Sequence, residues 1–248
     1  MIHTLGNKDK IILLLHPMLL DGCTMLKHFE PLSDKYRLIA PDLSAHGESR
    51  NEEFISAEQE ALRIASYLKQ KGAANCTAVI GLSLGGRIAL ELLKDTALNF
   101  SCAILDGAPV YKNARLQRFL YTTVFLHRRK QVQKNPEPAK QKLSQLFGTE
   151  AGIVMTENFQ KMTKRSIKNI MDTCSRFDFY PYTQNVQQRI YFEFGAEEAD
   201  AAQSKIILQK YPYVHLTKRE NYGHCQYLNR DKDSYLAMVR QCISGQNT

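Results

Sequence analysis

Short runs of apolar residues recur along the chain at 11–15, 37–40, 77–80, 103–105, 190–194 and 214–216. Each is too brief for a helix, and most are closed by Gly, Pro or Asp, a pattern that predicts buried parallel strands. Between several of them the period lengthens. Residues 57–70 place Ala61, Ile64, Ala65 and Leu68 on one face, as an amphipathic helix requires. A second helix is predicted over 86–94, directly after a strand, and others over 199–210 and 231–243. Strand alternating with helix argues for an α/β class: an open, mostly parallel, doubly wound sheet with helices on both faces.

Residues 110–185 break this rhythm. They read as helical pieces punctuated by Asn135-Pro136-Glu137-Pro138, with an aromatic exit over 177–183. The expected organisation is a core domain of 1–109 and 186–248, interrupted by a helical insertion, a lid or cap, over 110–185. A chain of 248 residues with 44% hydrophobic content is ample for one large α/β domain. The apolar run at 11–15 is too short for a signal-peptide core or a bilayer span. Six cysteines without a C-x-x-C pair suit reduced thiols in a cytoplasmic protein better than a disulfide framework or zinc site, so neither metal nor cofactor is implied.

Charge sharpens the picture of the insertion. Residues 110–176 carry fourteen Lys and Arg against four Asp and Glu, a local +10, whereas the remainder, with 19 basic and 21 acidic residues, is −2. A basic excess confined to one segment argues against nucleic acid as partner. Leu116, Phe119, Leu120, Thr123, Val124 and Leu126 predict a broadly apolar helix followed by Arg128-Arg129-Lys130. The plainest expectation is a helix that packs its apolar side on the core with its basic residues in water. A channel for a negatively charged substrate, or contact with an anionic membrane, would use the same charges and is less favoured.

Candidate chemistry begins at Thr77-Ala78-Val79-Ile80-Gly81-Leu82-Ser83-Leu84-Gly85-Gly86: a strand, a tight turn and a helix start with Ser83 at the centre of G-x-S-x-G. A nucleophile in such an elbow needs small neighbours two positions away, because strand and helix nearly touch there, and Gly81 and Gly85 supply them. A glycine-rich phosphate loop is the plainer alternative, but no G-x-x-x-x-G-K-S/T or G-x-G-x-x-G spacing supports it. Four further motifs fall in order around the elbow. His16-Pro17-Met18 follows the first strong strand, and Ala40-Pro41-Asp42-Leu43-Ser44-Ala45-His46-Gly47 follows the next. Gly195-Ala196-Glu197-Glu198-Ala199-Asp200 and Asn221-Tyr222-Gly223-His224 come near the end.

Taken together, these motifs resemble the α/β-hydrolase superfamily over nearly the whole chain, in its order of nucleophile, acid and histidine. The resemblance implies a nucleophilic Ser83, and His224 as the base that takes its proton. It implies backbone N–H groups of Met18 and Leu84 as the oxyanion hole, since Pro17, where the family keeps glycine, has no N–H to give. The acid that orients His224 is expected at Glu198, with Asp106, Asp200 and Glu197 as alternatives; for each of these a helix N-cap is the plain reading. His16, Asp42 and His46 are expected to be structural. The implied activity is cleavage of a small-molecule carboxylic ester through an acyl-enzyme without a cofactor. Thioesterase, lactonase and C–C bond hydrolase chemistry share the constellation, and a ligand-binding protein of the same fold with little turnover is the non-enzymatic alternative.

Overall fold

The structure, a computed structural model, describes residues 1–245. Seven strands form one sheet in the order β1-β3-β2-β4-β5-β6-β7. They span Ile2–Leu5 (β1), Ile11–Leu15 (β2), Arg37–Pro41 (β3), Asn75–Leu82 (β4), Asn99–Asp106 (β5), Ile190–Gly195 (β6) and His215–Arg219 (β7). All neighbours pair in parallel except β1, which runs antiparallel to β3 with Ile2 opposite Pro41. The apolar runs therefore mark the six parallel strands, and the short edge strand β1, whose Ile-His-Thr-Leu carries no apolar run, is the one the pattern does not reveal.

Alternation along β2 explains how one strand serves both layers. Ile11, Leu13 and Leu15 enter the core under helices Ala57–Gln70 (α2) and Leu84–Leu92 (α3), while Ile12 and Leu14 enter the core on the opposite face. That second face is covered by Gly22–Phe29 (α1), Gln226–Arg230 (α10) and Lys232–Ser244 (α11). Asp21 caps α1 by accepting from the Thr24 N–H at 2.8 Å, and Ser56 caps α2 through the Gln59 N–H at 3.2 Å. The helix expected over 199–210 is a 3-10 segment, Ala199–Gln203, followed by α9, Ser204–Lys210.

Between β5 and β6 the chain forms Arg115–Lys134 (α4), Glu137–Phe147 (α5), Thr149–Lys161 (α6) and Lys164–Ser175 (α7), then Gln184–Gln187 (α8). Met155, Phe159, Ile167 and Ile170 of this insertion belong to the same apolar core as Leu15 and Leu84. The reading of α4 as packing its apolar side inward needs correction. Phe125, Leu126 and Val132 do pack inward, but Leu116, Phe119, Leu120 and Val124 are exposed. The helix has apolar residues on both faces, so its composition cannot say which one is buried. Among the described residues, no helix is long and apolar enough to cross a membrane.

Candidate active site

The sheet order reverses at β2, which lies between β3 and β4, so the loops leaving β2 and β4 diverge and open a crevice at the strands' carboxyl ends. Ser83 stands there, between β4 and α3, with φ 51° and ψ −113°. A non-glycine residue in that region is strained, and the strain is held by a hydrogen bond from the Ser83 N–H to the Asp106 carbonyl at 2.8 Å. The turn closes only because its flanks lack side chains. A Cβ on Gly81 would lie 2.5 Å from the Gly85 carbonyl oxygen, and one on Gly85 would lie 2.1 Å from the Leu15 carbonyl oxygen.

His224 lies on the loop after β7, and its Nε2 is 2.9 Å from Ser83 Oγ. Its Nδ1 is hydrogen-bonded to Glu198 Oε2. With Nδ1–H donating to the carboxylate, Nε2 is left to accept the serine hydroxyl proton. Glu198 is fixed in turn, because its Oε1 accepts the Gly195 N–H at 2.8 Å. Asp200 is the next carboxylate, its Oδ2 3.6 Å from Nδ1, but its Oδ1 accepts from the Tyr111 hydroxyl at 2.5 Å and from Gln203 Nε2 at 3.0 Å. Asp106 ends β5 buried, its Oδ2 without a hydrogen-bond partner among the described residues. Glu197 lines the crevice, and its N–H donates to the Tyr222 carbonyl. Distance thus ranks Glu198 first, Asp200 second, and leaves Asp106 and Glu197 off the imidazole.

Electrostatics separates the acids further. Burial, reinforced by the nearby Glu198, pushes Asp106 up to about 7, so it is largely a neutral acid in the acidic range. Burial also raises Asp200, with the Tyr111 hydrogen bond opposing it. For His224, burial disfavours the cation, but the Cys225 sulfur and the Glu198 carboxylate outweigh it and hold the imidazole well above its ordinary value. Burial pushes the Cys225 thiol up to about 11, which leaves it uncharged near neutrality, so Glu198 is the partner that sustains the shift.

Leu84 is the first residue of α3, where an N–H has no carbonyl within the helix to bond. Met18 and Ser83 line the same cavity. Pro17 is held in place by its carbonyl, which accepts from His16 Nδ1 at 2.8 Å and from the Leu20 N–H at 3.3 Å. His16 in turn accepts the Leu43 N–H on Nε2 at 3.0 Å, and burial keeps it uncharged by lowering its pKa. Asp42 accepts the Gly22 and Glu48 N–H groups, each at 2.9 Å, and faces His3 Nε2 at 3.0 Å. His46 is buried, driven down to about 3 by desolvation and by His16. These three residues brace loops and do not reach Ser83.

Two features of the site had no sequence signal. Asn158, buried in α6, donates through Nδ2 to the carbonyls of Leu19 at 2.9 Å and Leu20 at 3.2 Å, and its Oδ1 accepts the Gly47 N–H at 3.0 Å. It ties the insertion to the loops after β2 and β3, where Leu19 (φ 75°) and Ala45 (φ 71°) both hold positive φ. The second is the ring of Tyr111, Gln203 and Asp200 behind His224. Glu198, Asp200 and His224 also offer ligand atoms within 4.8 Å of one another, close enough for a cation, although Glu198 already engages Nδ1.

The crevice is a cavity of about 500 Å³ lined by apolar groups such as Met18, Leu20, Phe125, Met155, Ile170 and Met171, with Ser83 and His224 on its wall. The insertion's charge is almost absent from it: among the described residues, Arg118 is the one Lys or Arg of its lining, and that guanidinium pairs with Asp172.

Residues 12–150 match the alpha/beta hydrolase fold family. The chain belongs to that family. Among solved structures, the alpha/beta hydrolase fold recurs in an esterase from a marine microorganism, with a TM-score of 0.76, 16% identity and coverage of 97% of this chain and 98% of that one. MenH from S. aureus is similar at a TM-score of 0.73 and 19% identity over 99% of both chains. An esterase from Thermogutta terrifontis gives 0.72 and 16% over 98% of this chain and 93% of the other. At these identities the likeness is one of fold. The Magnesium-chelatase 30 kDa subunit of Rhodobacter capsulatus is 40% identical over 91 residues, which are 35% of this chain and 31% of that protein.

Proposed function

We propose that this alpha/beta hydrolase is a serine hydrolase that cleaves a lipophilic carboxylic ester through an acyl-enzyme. The observation that carries the reading is the continuous relay from Glu198 through His224 to Ser83, opening on an apolar cavity. In this mechanism His224 Nε2 takes the Ser83 proton as Oγ bonds to the substrate carbonyl carbon, and the Met18 and Leu84 N–H groups hold the oxyanion. The tetrahedral intermediate collapses as His224 returns the proton to the departing alcohol. Water then attacks the acyl-enzyme, giving its proton to His224, and the acid leaves as Ser83 regains it.

The cavity lining favours an uncharged acyl group, because a phosphate-bearing thioester would meet only Arg118, already engaged by Asp172, and the carboxylates of Glu197, Glu198 and Asp200. A fluorophosphonate probe should label the protein, with labelling lost in Ser83→Ala and much weakened in His224→Ala. Survival of labelling in Ser83→Ala would overturn the assignment, and failure of folded wild type to label would favour ligand binding without turnover. In a panel of p-nitrophenyl esters and acyl-CoA thioesters, neutral esters should be turned over faster. EDTA should leave both labelling and turnover unchanged; loss of both, restored by a divalent cation, would assign Glu198, Asp200 and His224 to a metal instead.

A further inference from the structure

Helix α4 carries a surface for which ester hydrolysis has no use. Leu116, Phe119, Leu120 and Val124 are 73%, 67%, 52% and 42% exposed. Their spacing of three and four residues puts them together on the side turned from the core. The same side continues toward the C-terminus through the exposed His127, Lys130 and Lys134, with exposed Arg115 and Arg128 beside it. The helix holds six Lys and Arg and no Asp or Glu. Two of these cations are occupied, Arg118 by Asp172 and Arg129 by the Met162 carbonyl. Among the described residues, Arg115, Arg128, Lys130 and Lys134 form no salt bridge. The inward side of the same helix supplies Gln117, Tyr121 and Phe125 to the Ser83 cavity, and Tyr121, itself 45% exposed, reaches from that cavity to the surface.

An apolar stripe flanked by cations that lack acidic partners matches one kind of surface, an apolar interior bounded by negative charge. A second copy of this chain would bring one all-cationic helix against another, which disfavours a symmetric dimer through this face. We propose that α4 docks the protein on an anionic lipid surface. Leu116, Phe119, Leu120 and Val124 enter the boundary between headgroups and acyl chains, and Lys130, Lys134 and their neighbours meet the lipid phosphates. Docked this way, the helix whose other side lines the Ser83 cavity lies at the lipid surface. If the hydrolase reading holds, a lipophilic ester can then reach Ser83 with less exposure to bulk water.

The test is co-sedimentation of the full chain with vesicles of phosphatidylcholine alone or mixed in equal parts with phosphatidylglycerol. The mixed vesicles should bind at least about ten-fold more tightly, and salt should release the protein. Phe119→Ser with Leu120→Ser, and separately Lys130→Glu with Lys134→Glu, should each weaken binding about ten-fold or more. Both pairs sit on the surface and should keep the wild-type melting temperature, and Leu62→Ser, an exposed control on α2, should bind as wild type. Ser83→Ala should also bind as wild type, so a failed hydrolase assignment leaves this test intact. Equal binding to both vesicle types, or unchanged binding by both α4 variants, would overturn the proposal. So would a vesicle-indifferent wild type whose dimer, seen by sedimentation velocity, is lost in the Phe119 and Leu120 variant, because the partner would then be a second copy.

Discussion

At the scale of single residues, the proposed chemistry turns on how Glu198 conditions His224. A base must be neutral to accept a proton, and the imidazole's pKa is held above its ordinary value, so activity should climb with pH beyond the usual histidine range. Glu198→Gln should slow turnover by about 10²-fold or more and move the rising limb of the profile to lower pH, because the stabilising carboxylate is gone. Asp200→Asn should have a smaller effect on both. A limb that stays in place in Glu198→Gln and moves in Asp200→Asn would reassign the acid. Asn158→Ala would leave the Gly47 N–H and the Leu19 and Leu20 carbonyls without their buried partner. It should cost about 2–4 kcal/mol in denaturant melts, because relaxation and entering water recover part of the about 1–3 kcal/mol that each of the three unsatisfied groups would otherwise cost. Turnover should fall as well, since those carbonyls belong to the loop that carries Met18.

At the scale of elements, the helix that presents Ser83 is anchored from its far side. Arg87, buried on α3, is 2.6 Å from Glu91 and lies over the Phe177 ring at 4.7 Å, where the chain leaves α7. Arg87→Met should destabilise the fold by about 3 kcal/mol, because Glu91 stays buried with only Lys94 to balance it; a melting shift near zero would show that Lys94 suffices. Elements of this kind were readable in the sequence to unequal degrees. The parallel strands and the elbow were legible because their rules are local: consecutive apolar residues, and glycine where backbones collide. Edge strand β1 and helix α1 escape the pattern, the first for want of an apolar run and the second because it follows the loop after β2 without a long amphipathic repeat. Counting from Gly195 singled out Glu198 among four acids, but nothing local could rank their distances from a histidine that follows in another loop. Asn158 was invisible because an asparagine inside a helix gains meaning only from the loops it meets across more than a hundred residues of chain.

For the molecule as a whole, buried Asp106 adds a contribution to stability whose pH dependence runs in the reverse of the common carboxylate direction. Its folded pKa of about 7 exceeds the ordinary 3.8, so between these values the native state keeps a proton that the unfolded chain has released. This contribution is fully present below the unfolded value and is lost as pH rises through the folded one, at no more than about 1.4 kcal/mol per pH unit. Asp106→Asn should flatten the slope, as urea melts at about pH 5 and about pH 8 would reveal; an unchanged slope would place the titrating group elsewhere. Charge is also divided across the molecule, with the insertion basic outside and the cavity beneath it apolar, so salt should alter surface encounters far more than the turnover of neutral esters. The Asn158 brace bears on how such a protein can change. Because one insertion side chain fastens two loops of the sheet domain, the insertion is not an interchangeable attachment. A chimaera that received a relative's insertion without an equivalent amide would keep its strands and Ser83, yet lose the fastening of the loop beside them. New substrate preferences are therefore reached more readily by altering the α4 and α7 residues that face the cavity than by exchanging the segment entire.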